Sequence, residues 1–97
     1  MYLEIVSPEA TLFKNEVDSV IMPGPSGEFQ MLNNHAAIVS ILTAGVIKIQ
    51  ASKQVEIDLE QLHPKVTPAS NDKRSLTLTI DSGTVEMNNN KAIILVD

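Results

Sequence analysis

The chain lacks cysteine and tryptophan altogether. The first absence removes disulfide staples, cysteine-ligated zinc and thiol catalysis at once, and it fits a reducing compartment. The second, with only one Tyr and two Phe, leaves too few aromatic faces for a sugar-stacking platform. Positive charge is scarce as well. Seven Lys+Arg stand against 12 Asp+Glu, a net charge of −5 with histidine neutral. That balance argues against nucleic acid or anionic lipid as the main partner. No apolar run approaches the ~18 residues of a membrane-spanning helix. Met1-Tyr2-Leu3-Glu4 opens without the basic and apolar regions of a secretory signal.

What is present reads as one small globular domain. The 97 residues, 43% apolar and 20% charged, suit a folded core rather than a disordered chain. Val, Ile and Thr recur in short runs. Leu3 and Ile5 alternate with Tyr2, Glu4 and Val6, which predicts a strand that ends at Ser7-Pro8-Glu9. Residues 11–14 form a second short run, with Asn15-Glu16 as a tight connection to an alternating run over 17–22. Pro23-Gly24-Pro25-Ser26-Gly27 is the strongest turn in the chain, since Pro presets φ and Gly supplies positive φ.

Residues 28–32 resume the strand pattern, and Asn33-Asn34-His35 breaks it. Residues 37–43 and 46–50, with Ala44-Gly45 between them, read as a hairpin. The run 36–42 could be a buried helix, but Ile38, Val39 and Ile41 are β-branched, so a strand is expected. Val55, Ile57 and Leu59 alternate once more. A long loop at about 60–74 follows, or a short helical turn and then loop. Leu76, Leu78 and Ile80 form the next strand, Ser82-Gly83 a bulge within it, and Asn88-Asn89-Asn90 a hairpin turn before 92–96. About ten short strands separated by turn residues define an all-β antiparallel sandwich or flattened barrel.

The residues that could carry chemistry are few. Histidine is the residue type suited to proton transfer at neutral pH, and the chain has two, His35 and His63, neither with neighbours at metal-ligand spacing. No Gly-x-Ser-x-Gly elbow is present, and Gly24–Gly27 lacks the Lys-Ser/Thr of a phosphate loop. Glu56, Asp58 and Glu60 share one strand parity and read as a solvated face. Lys73-Arg74 is a solvated basic pair, too small for a nucleic-acid footprint. Neither a catalytic site nor a cofactor or metal is expected. On the residues alone, a small β domain that contacts other proteins is expected; a free-standing β-sandwich protein- or ligand-binding module is the alternative, and an enzyme comes third.

The order of motifs goes further. Leu3-Glu4-Ile5-Val6-Ser7-Pro8-Glu9, Leu12-Phe13, Glu16-Val17-Asp18-Ser19-Val20, Pro23-Gly24, Gly27-Glu28-Phe29, His35-Ala36 and Ile38-Val39 follow one another. Ser82-Gly83-Thr84-Val85-Glu86-Met87 and Lys91-Ala92-Ile93-Ile94-Leu95-Val96-Asp97 close the chain. This succession resembles the epsilon subunit of the F-type ATP synthase, over residues 1–50 and 75–97.

The resemblance implies the family's N-terminal β-sandwich and a non-catalytic central-stalk role. The partners would be the gamma subunit and the c-ring, with no nucleic acid, no small-molecule substrate and no direct insertion into the membrane. The location would be the cytoplasmic face of a bacterial inner membrane, within the complex. It also implies contact residues. Gly27, Glu28 and Phe29 match the loop that faces the c-ring, and Ser7, His35, Ala36, Ile38 and Val39 match the gamma and rotor contacts. Three features depart from the pattern. Ala37 replaces a frequent Pro, Asn33-Asn34 replaces a common Pro-Gly, and the 60–74 loop is long. The family's C-terminal helical hairpin, which carries its inhibitory movement, is not expected within residues 1–97.

Overall fold

Alternation decides the inner face of each strand. In β1 (Tyr2–Val6), Leu3 and Ile5 are fully buried, while Tyr2, Glu4 and Val6 are half-buried on the other side, as a period of two requires. The computed structural model describes residues 1–69 and 72–97 and has eight more strands. They are β2 (Thr11–Gly24), β3 (Gly27–Leu32), β4 (Ile38–Leu42), β5 (Gly45–Ala51), β6 (Thr67–Ala69), β7 (Asp72–Ile80), β8 (Gly83–Asn88) and β9 (Lys91–Val96). One 3-10 turn, Leu59–Gln61, is capped by Asp58, whose side chain accepts the Glu60 N–H at 3.0 Å.

The ladder order is β4-β8-β9-β1-β2-β5-β7-β6, with β3 also paired to β2. β2 is the joint. Its first half pairs β1, and its second half pairs β3 on one side and β5 on the other. A register shift between Val17 and Ser19 marks the change, and such an irregularity bends a strand. The sheet thereby folds into two layers. Leu3, Ile5, Val85, Met87 and Ile94 of the first share one core with Val20, Met22, Met31, Ile47, Leu76 and Leu78 of the second. Full burial of a side chain of this size stabilises by about 1.5–3 kcal/mol relative to exposure.

The β-sandwich is as expected, and several local expectations are corrected. Residues 11–24 are one strand, without a connection at Asn15-Glu16, because pairing with β1 is continuous from Phe13 to Glu16. Residues 37–50 are not a hairpin. β4 pairs β8 in the first layer and β5 pairs β2 and β7 in the second, so Ala44-Gly45 crosses between layers. The crossing is pinned where the Thr43 N–H donates to the Pro23 carbonyl at 3.0 Å.

Ser82-Gly83 is likewise a corner between β7 and β8 rather than a bulge. Val55, Ile57 and Leu59 are not a strand. Ile57 alone of the three is buried, and Leu59 opens the 3-10 turn. Within 60–74 lie that turn, β6 and the start of β7, while the 70–71 portion of the expected loop falls outside the described residues. Among the described residues one pair is parallel. β1 and β9 come from opposite ends of the sequence and are free of hairpin geometry.

Two turns carry the positive φ that their residues suggest. Gly24 pairs Gly27 around Pro25-Ser26, with Gly27 at φ 115°. Asn89 and Asn90 sit at φ 52° and 60° between β8 and β9.

Candidate functional site

The expected c-ring loop is the tip of the β2–β3 hairpin. Gly27 and Glu28 face outward there. Phe29 does not, because its ring packs toward the core and lies 3.0 Å from where a Cβ on Gly24 would stand. A side chain at position 24 would press on this ring, which would have to give by a few tenths of an ångström. Glu28 is not a lone acid. Its Oε2 lies 3.1 Å from Lys48 Nζ, with both side chains about half exposed. The tip therefore presents an adjacent anion and cation.

The other expected contacts distribute along the first layer. Ser7 caps the β1–β2 turn, its N–H donating to the Ala10 carbonyl at 2.8 Å. His35 and Ala36 lie before β4, at the end marked by the Asn88–Asn90 turn, and the Asn34 N–H donates to Asn90 Oδ1 at 2.7 Å. His35 Nδ1 lies 2.7 Å from the Ala36 carbonyl, which can only accept, so Nδ1 carries the proton. Ile38 and Val39 separate by parity. Ile38 packs against the core, and Val39 is 79% exposed. Ser7 and His35 thus mark opposite ends of the layer and do not form one cluster.

Strand registers join Val39 to neighbours that the sequence reading left out. One outward row runs Ile41, Thr84, Leu95, Val6 across β4, β8, β9 and β1, and the next runs Val39, Glu86, Ile93, Glu4. Ile41 is 60% exposed and Leu95 52%. With Ser7 and Pro8, the first row borders a groove of about 590 Å3. Ile41 was readable from its i+2 spacing to Val39. Leu95 was not, because 92–96 is apolar throughout and shows no parity.

The remaining polar groups are occupied locally. His63 Nδ1 accepts the Lys65 N–H at 3.1 Å. Arg74 is not a solvated loop residue. It stands on β7, and its guanidinium donates to the Ser52 and Val55 carbonyls at 3.1 and 3.2 Å. Asp72 accepts the Arg74 N–H at 2.9 Å, and this bond, helped by Ser75, holds its carboxyl below the ordinary 3.8. Among the described residues no three His, Cys, Asp or Glu side chains converge on a possible metal position, and no helix is long and apolar enough to cross a membrane.

An apolar outer face and a hairpin tip bearing an ion pair, on a two-layer body, define a β-sandwich domain. Residues 1–59 match the family described as "ATP synthase, Delta/Epsilon chain, beta-sandwich domain". The chain belongs to that family. It is 36% identical over all 97 residues to the ATP synthase epsilon chain of Campylobacter fetus, and spans 60% of that protein's length. The fold resembles a chain in the central stalk/c-ring structure of the Tetrahymena thermophila mitochondrial ATP synthase. There the TM-score is 0.66 at 16% identity, over 99% of this chain and 62% of that one. A chain of the Euglena gracilis mitochondrial ATP synthase gives a TM-score of 0.70 at 16% identity, over 97% of this chain and 48% of that one.

Proposed function

We propose that the chain is a non-catalytic stalk subunit of an F-type ATP synthase, binding the gamma subunit and the c-ring and helping to couple ion translocation to ATP synthesis. The observation that carries this reading is the outer face of the first layer. Val39, Ile41 and Leu95 leave it apolar and exposed in a chain of this family. An interface mixes apolar and polar contacts, and here Thr84 and Glu86 on β8 stand between Ile41 and Val39 of β4 and Leu95 and Ile93 of β9, with Glu4 beyond Ile93.

In this reading gamma covers that face, with Ser7 and His35-Ala36 at its two ends. The hairpin tip, with Gly27 and Glu28, meets the polar loops of the ring, and Phe29 braces the tip from inside. Residues 1–97 act as one domain whose close-packed core transmits torque without yielding. The subunit takes no cofactor and breaks no bond in a substrate. It lies peripherally at the cytoplasmic face of a bacterial inner membrane, held there by its protein partners.

The test is co-purification with a tagged gamma subunit from the same source, with and without the c-ring. Retention of the chain on gamma is the expected result. Failure to bind gamma at any salt concentration overturns the reading.

A further inference from the structure

Glu86 stands where a covered face can least hold a lone charge. On the outer face of the first layer it has Val39 of β4 on one side and Ile93 of β9 on the other, each one strand spacing away, about 4.8 Å. Val39 is 79% exposed, and Glu86 is exposed beside it. In the next row Ile41 and Leu95, both exposed, flank Thr84, two residues back along β8. A partner that buries Val39, Ile41 and Leu95 together buries Glu86 as well, because β8 runs between them.

A carboxylate taken out of water needs a partner, since a buried charge left alone is strongly unfavourable. This chain holds no cation in place for it. Among the described residues the ion pairs join Glu16 to the amino terminus, Glu28 to Lys48 and Glu56 to Lys73, and Glu86 is in none of them. Lys91 on β9 is within diagonal reach in the register. Its Nζ instead lies over the Tyr2 ring, 5.5 Å from the centroid, on the side of β9 away from β8. Lys14 stands opposite Glu4, at the far end of the row.

We propose that the partner covering this face supplies the missing cation. Its segment carries one basic side chain that docks on Glu86, and one apolar side chain that enters the groove of about 590 Å3 bordered by Ile41, Leu95, Val6 and Pro8. This rests on the stalk reading, in which the segment belongs to gamma, and adds the chemistry that the segment carries. The two side chains stand about 7 Å apart, the separation of Thr84 and Glu86 along an extended strand. Arginine suits the position best, because its guanidinium is less strongly hydrated than an ammonium and holds a carboxylate by two parallel bonds. The net charge of −5 on the chain favours the approach of a basic segment.

Binding to the tagged gamma subunit, measured for Glu86→Gln and Glu86→Met, tests the pairing. Each variant alters one exposed side chain, and its melting temperature checks that it folds. With the partner's cation left buried and alone, each is expected to bind about thirtyfold or more weakly than wild type, mostly through faster release. Docking by apolar contact alone predicts the reverse for Glu86→Met, which adds apolar surface. Glu56→Gln lies outside β4, β8, β9 and β1 and is expected to bind like wild type. The loss in Glu86→Gln is expected to persist in a Lys91→Met background, because the cation is the partner's. A wild type that does not bind gamma overturns the stalk reading, and this pairing with it. A wild type that binds, with Glu86→Met equal to it or tighter, overturns the pairing alone. So does an equal loss in Glu56→Gln, or a loss in Glu86→Gln that vanishes with Lys91.

Discussion

Glu28 and Lys48 meet at 3.1 Å by reaching over β2 from the strands on its two sides. The pair ties the hairpin tip to the body of the second layer. Both side chains are about half exposed, so its contribution to stability is small, about 0–1 kcal/mol. In the proposed reading its weight lies in what it presents to the ring.

Glu28→Lys places two cations together at the tip. The expected result is a clear fall in the yield of complex recovered on tagged gamma with its c-ring, while the melting temperature hardly moves. Glu56→Lys is the control, because Glu56 is 91% exposed and its Lys73 contact is long, at 3.8 Å. Exchanging the two charges, Glu28→Lys with Lys48→Glu, restores the internal pair but not the original pattern, so recovery stays low. Equal recovery for all three proteins would show that the tip is not read by a partner.

Gly83 opens β8 opposite Val96, and a Cβ built on it would lie 2.5 Å from the Leu95 carbonyl oxygen. That obstacle is backbone and cannot rotate away. Gly83→Ala is expected to destabilise by about 1–3 kcal/mol, as overpacking does, read as a lower urea midpoint at unchanged slope. An unchanged midpoint would mean that β9 shifts freely at this point.

Arg74 holds the turn after β5 by its two carbonyl bonds. Arg74→Met keeps most of the stem and removes both donors. A loss of about 1.5–3 kcal/mol is expected, the range for hydrogen bonds to a charged group. Amide exchange should show it first at residues 52–55, and unchanged protection there would refute the role.

Asp72 titrates low because its carboxylate accepts the Arg74 N–H. A carboxyl whose pKa is depressed on folding stabilises the fold above its unfolded pKa, and loses that contribution as pH falls through the folded value. The acid limb of melting temperature against pH should therefore flatten in Asp72→Asn below about pH 4. The two curves should run parallel above it, and parallel curves throughout would exclude a contribution from Asp72.

How much was legible depended on the range of the physics. Period-two alternation in 2–6 and 76–80, the Pro-Gly turn at 23–27 and the three asparagines at 88–90 are local, and each became the element expected. Pairing is not local. The corner at Ala44-Gly45 and a tight hairpin look alike in sequence, and only the Thr43–Pro23 bond and the two separate ladders distinguish them. The residues expected to make contacts behaved in the same way. Gly27, Glu28 and Val39 came from motif order and do face outward, whereas Phe29 and Ile38 turned inward, which parity against the core decides.

Composition and alternation were enough to require a small all-β body with few groups suited to catalysis. A lack of cysteine, a shortage of aromatics and a repeat of two act residue by residue and need no partner. The apolar outer face is a property of the assembled strands. Val39, Ile41, Leu95 and Val6 come from β4, β9 and β1, and become neighbours only through the β4-β8-β9-β1 ladder. Burial of the opposite parity holds that ladder in register, since a slip of one residue would exchange core for surface along a whole strand.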